Sequence, residues 1–531
     1  MNPPVPARRR RRWWVPAVLM VLWVIGVALL WGLEVTFREQ ASVAVTLLTL
    51  LALAVWFVFL TGFPFRIRLA LVFAGATLLA GVVFGIRNFT RIEGSINGSG
   101  IPRLVWKWSP RRDAGLQELS VAPPTPNALE AFVRGTTNDF PQFLGPNRSG
   151  VITGLSLARD WSSNPPRQVW RQPIGVGWSA FAVSGPRAVT QEQRGEKELI
   201  VCYELSTGRV LWSRTNRVRF SEVLGGDGPR ATPTLEKGRV YAIGATGILD
   251  CLDETTGKLT WSRDVLRENG LQNITWGKSS SPLLLDESVI VTGGAEQTKS
   301  LLAYHKDTGQ PLWQSGRDEA GYCSPSIATI AGRRQILILN AQSVSGHDPR
   351  DGKVLWDYSW RGHWPKVAQP LALEKDRVFI GAGYGLGCVM LQLKLSDAGQ
   401  WSITELWKNR NLKPKFTNVV RREDCVYGLD DGTLVCLDLG TGERKWKDGR
   451  YGHGQVMLVD DVLLIQAESG DVVLVEANPS EHRELGRFSA IEGKTWNNPA
   501  LAGNYLLVRN DQEAACYELP LRNGPVPGVG R

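Results

Sequence analysis

Beyond residue 160 this chain of 531 residues carries almost no net charge. The formal total is +10, of which residues 1–86 hold +6, residues 87–160 hold +3 and residues 161–531 only +1. The large C-terminal part therefore lacks the basic stripe that a phosphate backbone requires, and no nucleic-acid partner is expected. Catalytic signatures are missing too. There is no P-loop, HExxH or EF-hand loop, and the five histidines fall into no Ser-His-Asp order. Seven cysteines are an odd number, which argues against a full disulfide framework. Cys323, Cys388 and Cys425 are not spaced as metal ligands, and no metal site is expected. No cysteine near the start suits a lipid anchor. What is present is 43% hydrophobic, rich in glycine (56) and tryptophan (21) and poor in methionine (4). Such a chain can bury a large core and form more than one domain.

Three uncharged apolar runs open the sequence, at about 13–33, 41–63 and 69–86. Each has the length that spans a bilayer core as a helix. Three in succession, without a convincing small-residue cleavage site, read as a retained anchor rather than a signal peptide. Arg8–Arg12 precede the first run, and Arg66 and Arg68 fall between the second and third. The first loop has only Arg38, against Glu34 and Glu39. The positive-inside rule then expects residues 1–12 as a cytoplasmic tail, in a bacterial inner membrane. Everything after Ile86 is expected on the other side, in the periplasm or outside. Residues 87–160 read as a linker and lead-in. Within it, "APPTPNALEAF" (122–132) is a tether, and "DFPQFLGPNRSGV" (139–151) an ordered loop that packs on something.

From 161 to 519 the pattern is all-β, with short alternating runs bounded by Gly, Asp, Asn and Pro. One cassette keeps returning: YELSTGRVLW (203–212), LDCLDETTGKLTW (249–261), YHKDTGQPLW (304–313), HDPRDGKVLW (347–356) and LDLGTGERKW (437–446). Trp170, Trp212, Trp261, Trp313, Trp356, Trp407 and Trp446 mark it at gaps of 39 to 52 residues, and Phe488 takes the next place. Each unit fits four strands. In the second, these are 230–237, 239–246, 247–254 and 258–265. Thr256-Gly257 turns the chain between the last two strands, with Asp253 placed to hydrogen-bond the turn. The tryptophan then offers a flat ring to pack between neighbouring sheets. The expected fold is an eight-bladed β-propeller of four-stranded blades, preceded by three transmembrane α-helices. Inner strands are expected to start near Ala180, Thr232, Ser281, Ser324, Gln369, Asn418, Gln455 and Asn498. The last unit (497–519) lacks an outer strand, whereas "PRQVWRQP" (166–173) is an outer strand without a blade. Pairing the two would close the ring and remove an exposed edge. Residues 520–531 read as a tail.

The cassette LDxxTGxxxW resembles the pyrroloquinoline-quinone (PQQ)-type propeller repeat. That repeat occurs in quinoprotein dehydrogenases and in the outer-membrane assembly protein BamB. The stretches "FPQFLGPNRSGV", "GPRATPTL" (228–235) and "GYCSPSIATIAGRRQILIL" (321–339) are similar to a PQQ-like, BamB-like family. This resemblance implies a membrane-anchored scaffold that binds envelope proteins and needs no cofactor. The dehydrogenases of the same fold imply PQQ held under two adjacent cysteines, with Ca²⁺ bound by Glu, Asn and Asp. No Cys-Cys pair occurs here, and no such calcium set can be placed. A membrane quinoprotein dehydrogenase of alcohols or sugars stands as the alternative, and an anchored ligand sensor as a third reading.

Repeated Cys202, Cys251, Cys436 and Cys516 share one place in the cassette and read as small buried apolar side chains. His305 and His347 fall inside cassettes and read as scaffold, while His363 and His453 precede inner strands. The segments leading into the inner strands surround a propeller's channel. They carry Trp178, Arg230, Lys278, Tyr322, Lys366, His453, Trp496 and Asn498. Aromatic and cationic groups converging there suit an acidic or sugar-like ligand, or a peptide.

Overall fold

The computed structural model describes residues 14–32, 38–61, 63–96, 101–121, 139–296 and 299–522. The basic tail at 1–12 and the tether at 122–132 lie outside the described residues. Two compact units result, one of residues 1–110 with 223–225 and one of the remainder.

The first unit contains helices α1 (Trp14–Gly32), α2 (Arg38–Leu60) and α3 (Phe65–Phe89). All three are long and apolar enough to cross a membrane. None of their residues is buried against protein. Trp23 Nε1 donates to Thr46 Oγ1 at 2.9 Å, tying α1 to α2. α3 begins directly after Pro64, so Arg66 and Arg68 stand in its first turn rather than in the loop that their charge suggested. A hydropathy boundary stops at a charge, but a helix that has started after proline does not. Residues Thr90–Ile96 and Ile101–Trp106 pair as an antiparallel hairpin, which the linker reading missed.

The second unit is the propeller, with eight sheets arranged as expected. Blade 1 spans Ala182–Asn216, blade 2 Thr234–Asp264, blade 3 Leu283–Ser315 and blade 4 Ser326–Ser359. Blade 5 spans Leu371–Asn409, blade 6 Val420–Arg450 and blade 7 Gln455–Ser489. Blade 8 takes its three inner strands from Ala500–Glu518, and its outer strand is Arg167–Pro173. This pairing closes the ring, with Trp170 opposite Cys516. Arg171 reinforces it, donating Nε to Glu513 Oε2 at 2.6 Å and Nη2 to Oε1 at 2.8 Å.

The cassette has a plain physical basis. Asp253 Oδ1 accepts from the backbone N–H of Thr255 and Thr256 at 3.2 and 2.8 Å, which holds the turn. Gly257 then takes φ +69°, a conformation that favours glycine. Its bare Cα lies under the Trp212 ring of blade 1, and an added Cβ would sit 2.6 Å from that ring. The indole N–H of Trp212 donates to Glu254 O at 2.9 Å. The same indole-to-next-hairpin bond recurs from Trp170 to Leu205 O, Trp261 to Lys306 O, Trp407 to Leu439 O and Trp446 to Asn478 O. Trp313 packs over Gly352 of blade 4 in the same way. Trp356 departs from the pattern and donates to Gln335 Oε1 within its own blade. The next blade's lengthened hairpin, with strands Gly387–Leu395 and Trp401–Asn409, explains the loss of its partner turn. In blade 7, Phe488 packs against Trp161 at 5.6 Å and Tyr517 at 4.8 Å.

Each docking tryptophan also needs a small or slender residue opposite it. Cys202 faces Trp212, Cys251 faces Trp261, and Cys436 faces Trp446. All seven cysteines are buried and free. His347 is equally structural, with Nδ1 2.9 Å from Gly352 O and Nε2 2.9 Å from Ser345 Oγ. Burial lowers its pKa. Replacing Gly257 with alanine should cost about 2 kcal/mol, from left-handed strain plus the clash with a ring that cannot retreat. Chemical denaturation of the full chain in detergent checks this value.

The lead-in loop packs across the axis. Phe140 bridges to Val183 in blade 1, and Pro141 O accepts from Leu235 N in blade 2. Arg148 reaches blade 3, donating to Pro282 O at 2.9 Å and Ser281 O at 3.1 Å. Val151 and Ile152 then pair in parallel with Leu458 and Val459, adding a fifth strand to blade 7. The loop thereby joins blades 1, 2, 3 and 7 at their inner strands, and the segments that lead into the inner strands form the mouth.

Candidate functional site

The mouth is rimmed by half-exposed aromatic rings from consecutive blades. Trp496 lies 5.0 Å from Trp178 and 4.8 Å from Phe416, measured between ring centroids. Phe416 lies 5.5 Å from His453 and 6.3 Å from Tyr384, and Trp364 stacks on Tyr384 at 5.1 Å. Further round, Trp276 and Tyr322 meet edge to face at 5.6 Å. Tyr384 holds φ +54°, a conformation costly for a non-glycine residue and concentrated at binding sites. Two ammonium groups sit on this collar. Lys494 Nζ is 4.0 Å from the Trp496 ring centre and 5.1 Å from that of Trp178. Lys415 Nζ is 4.8 Å from Tyr384 and 5.4 Å from Phe416. Burial pulls the Lys494 pKa down to about 8. Glu468 positions the rim, accepting from Trp496 Nε1 at 2.8 Å and from His453 N at 2.9 Å.

Thus Trp178, His453 and Trp496 come together, and Tyr322 stands across the ring. The other sequence candidates do not face the mouth as free cations. Arg230 folds back onto its own segment, donating to Gly226 O and Gly228 O, with its guanidinium 4.7 Å over Phe220. Lys278 is fully buried and donates to Thr292 O, Thr292 Oγ1 and Gly293 O. Desolvation pulls its pKa down to about 7. Lys366 is buried as well, donates to Ala341 O, and is lowered by desolvation to about 8. A long lysine chain before an inner strand reads as a mouth cation in sequence, yet here it turns into the blade. Asn498 is half-buried, and its neighbour Asn497 makes the bonds between blades.

Beneath the collar runs a belt of buried amides at one place in successive repeats. Gln455 Nε2 donates to Phe416 O at 2.9 Å and Trp496 O at 2.8 Å, directly under two collar rings. Asn497 Nδ2 donates to Ser179 O at 2.8 Å, beside Trp178. Gln369 Nε2 donates to Ser324 O at 3.1 Å, and Gln369 N to Asn418 Oδ1 at 2.8 Å. These nitrogens face carbonyl oxygens, which fixes each amide's orientation. Gln369 Oε1, Gln455 Oε1 and Asn497 Oδ1, and likewise Asn418 Nδ2, are buried and have no hydrogen-bond partner in the protein. Sequence reasoning placed Gln369, Asn418 and Gln455 at strand starts, and their shared amide chemistry was the signal available for the belt.

Among the described residues, one group of His, Cys, Asp and Glu is close enough to hold a metal: Glu287, His305 and Asp307. In blade 3, Glu287 stands in the turn between the first two strands, and His305 and Asp307 in the outer hairpin. Their carboxylates lie 3.7 Å from Lys306 and 3.5 Å from Arg239. The mouth does not match the adjacent cysteines and Glu/Asn/Asp set that the quinoprotein resemblance implies. Its carboxylate Glu468 is engaged by Trp496 and His453.

Comparison with known proteins follows the propeller. The chain is 21% identical over 370 residues to the outer membrane protein assembly factor BamB of Shewanella oneidensis, covering 67% of this chain and 89% of that protein. A europium-containing methanol dehydrogenase superposes with TM-score 0.56 at 11% identity, over 73% of this chain and 100% of its own. The quinohemoprotein alcohol dehydrogenase of Comamonas testosteroni gives 0.54 at 13% identity, over 77% and 86%. At these identities the two enzymes share the fold alone. The family model described as outer membrane protein assembly factor BamB matches residues 162–275 and 226–448, more than half of the chain and nearly all within the propeller. With its blades, docking tryptophans and closing strand in place, this chain belongs to the BamB family.

Proposed function

We propose that the chain is a membrane-anchored scaffold for the assembly of envelope proteins. The observation that carries this reading is the family match over residues 162–448, set behind three apolar helices outside the matched residues. The arginine distribution supports an inner-membrane anchor with a cytoplasmic N-terminus, which puts the propeller in the periplasm. Recognition then rests on blade loops and outer-strand edges, which can add a partner's strand by backbone hydrogen bonds. No bond is made or broken.

Depletion of the chain in its host tests the proposal. The expected result is a fall in correctly assembled outer-membrane barrels, read as loss of their heat-modifiable gel forms. Restoring the full chain should restore them. Unchanged barrel assembly after complete depletion would overturn the proposal.

A further inference from the structure

Directly after α3 the chain forms a two-stranded hairpin, one face of which is apolar and bare. Thr90 ends the helix, donating its N–H to Ile86 O, and also starts the first strand. It pairs with Trp106, and Ile92 pairs with Leu104, so these four side chains share one face. Ile92, Leu104 and Trp106 are 42%, 43% and 53% exposed, and Trp108, just past the second strand, is 67% exposed. A hairpin of two strands has no second layer of its own and is marginal in water. A bare apolar face on it therefore calls for a cover. The far end already has one. Gly94 N donates to Val223 O of the same unit at 3.0 Å, and Ser95 is buried. The bare half is the half next to the helix.

Aromatic rings connect this face to the membrane. Trp106 stacks on Trp108 with centroids 4.9 Å apart and planes 8° apart. Trp108 lies 6.4 Å from Phe89, and Phe89 lies 6.3 Å from Phe84. Phe84 and Phe89 are exposed on α3, so the bare face continues the surface that the helix offers to lipid. The distances agree. The uncharged run of α3 ends at Ile86, and Thr90 follows four residues later, about 6 Å along the axis. The headgroup layer is about 5–8 Å deep on each side of the hydrocarbon core, so the hairpin starts within it. Tryptophan favours that layer. Cations border the face. Arg87, Arg103 and Lys107 are exposed, and Lys107 Nζ donates to Arg87 O at 3.2 Å. Arg103 alternates with Leu104 and so points to the opposite side of the strand. The one acid between Arg87 and Pro110 is Glu93, which Arg91 holds at 3.4 Å. We infer that the hairpin lies in the membrane interface beside α3 and binds anionic phospholipid. Ile92, Leu104, Trp106 and Trp108 enter the acyl boundary, and Arg87, Arg103 and Lys107 hold lipid phosphates. A protein partner would not need the rings to run on from a spanning helix. The inference rests on the membrane anchoring proposed above and is independent of the assembly role.

The test is spin-label accessibility on the full chain in nanodiscs of phosphatidylcholine mixed with phosphatidylglycerol. The native cysteines are buried, so a nitroxide reagent reaches a cysteine introduced at an exposed position. Three single variants carry the label: Leu78→Cys in the middle of α3, Leu104→Cys on the bare face and Arg103→Cys on the opposite face. Oxygen, which dissolves in lipid, should relax the labels at Leu78 and Leu104 several-fold more than a neutral nickel chelate does. The label at Arg103 should show the reverse. Discs of phosphatidylcholine alone should raise nickel access at Leu104, and so should Arg103→Gln with Lys107→Gln in the mixed discs. Nickel access at Leu78 would remove the anchor and the inference with it. A label at Leu78 in lipid, with that at Leu104 open to nickel or shielded from both reagents by protein, would keep the anchor and overturn the inference. Access that ignores both lipid charge and the two cations would overturn the assignment to anionic lipid.

Discussion

Trp170→Ala should destabilise the propeller by about 3–5 kcal/mol, the cost of emptying a buried tryptophan site. This residue does more than fill space. It lies in the strand that closes blade 8, so its loss weakens the seam between the two ends of the ring. Its indole N–H donates to Leu205 O at 2.8 Å, and a Cβ on Gly208 would come within 2.8 Å of its ring. The variant leaves a cavity, an unpaired carbonyl and a looser first-to-last contact together. Urea titration of the full chain in detergent measures the effect. A cost below about 1 kcal/mol, the scale of an ordinary surface change, would show that the seam does not limit stability.

A rise in stability between neutral and alkaline pH is the second large effect. Lys278 is fully buried, and its folded pKa is pulled down to about 7. Between that pH and the ordinary lysine range, the unfolded chain holds the proton that the folded chain has released. Unfolding then takes up a proton, so stability grows as pH rises through this window. Below pH 7 both states are protonated and the slope vanishes. Lys366, lowered to about 8, adds the same trend from a higher starting pH. Glu198 acts in the opposite sense. Burial raises its folded pKa to about 7, so the stability it gives at acid pH is lost between the ordinary glutamate range and neutrality. Lys278→Met should flatten the alkaline rise by roughly 4 kcal/mol up to pH 10, given about 1.4 kcal/mol for each pKa unit. Denaturation midpoints from pH 5 to pH 10 measure it. An unchanged slope in the variant would contradict this account of Lys278.

The blades were legible because their determinants are local. Thr256-Gly257 and Trp261 specify a hairpin and its docking ring within a few residues of one another. The ring closure was legible because two incomplete units, at 166–173 and 497–519, complement each other. The route of the lead-in loop was not, because Phe140, Arg148 and Val151 meet strands that lie from 40 to more than 300 residues away in sequence. The hairpin at 90–106 was hidden by the short length of its strands. At the mouth, Trp178 and Trp496 stand on the rim, whereas Lys278 and Lys366 bond backbone carbonyls within their blades. A half-buried ring such as Trp496 can only pack where its strand start puts it. Lys278 and Lys366 have long flexible stems, and backbone carbonyls drew them inward. The belt was half visible, since three of its four amides stand at strand starts already marked by the repeat.

The central claim, that this propeller serves envelope assembly, is tested most directly by site-specific photo-crosslinking in the native membrane. Probes belong on the outer strands of blades 3 and 4, at Leu312 and Val354, which are exposed. The account predicts adducts with outer-membrane barrel proteins or with the machinery that inserts them, lost when the blade seam is broken by Trp170→Ala. Adducts confined to respiratory-chain proteins, or none from any outer-strand position while the chain is abundant and folded, would contradict it.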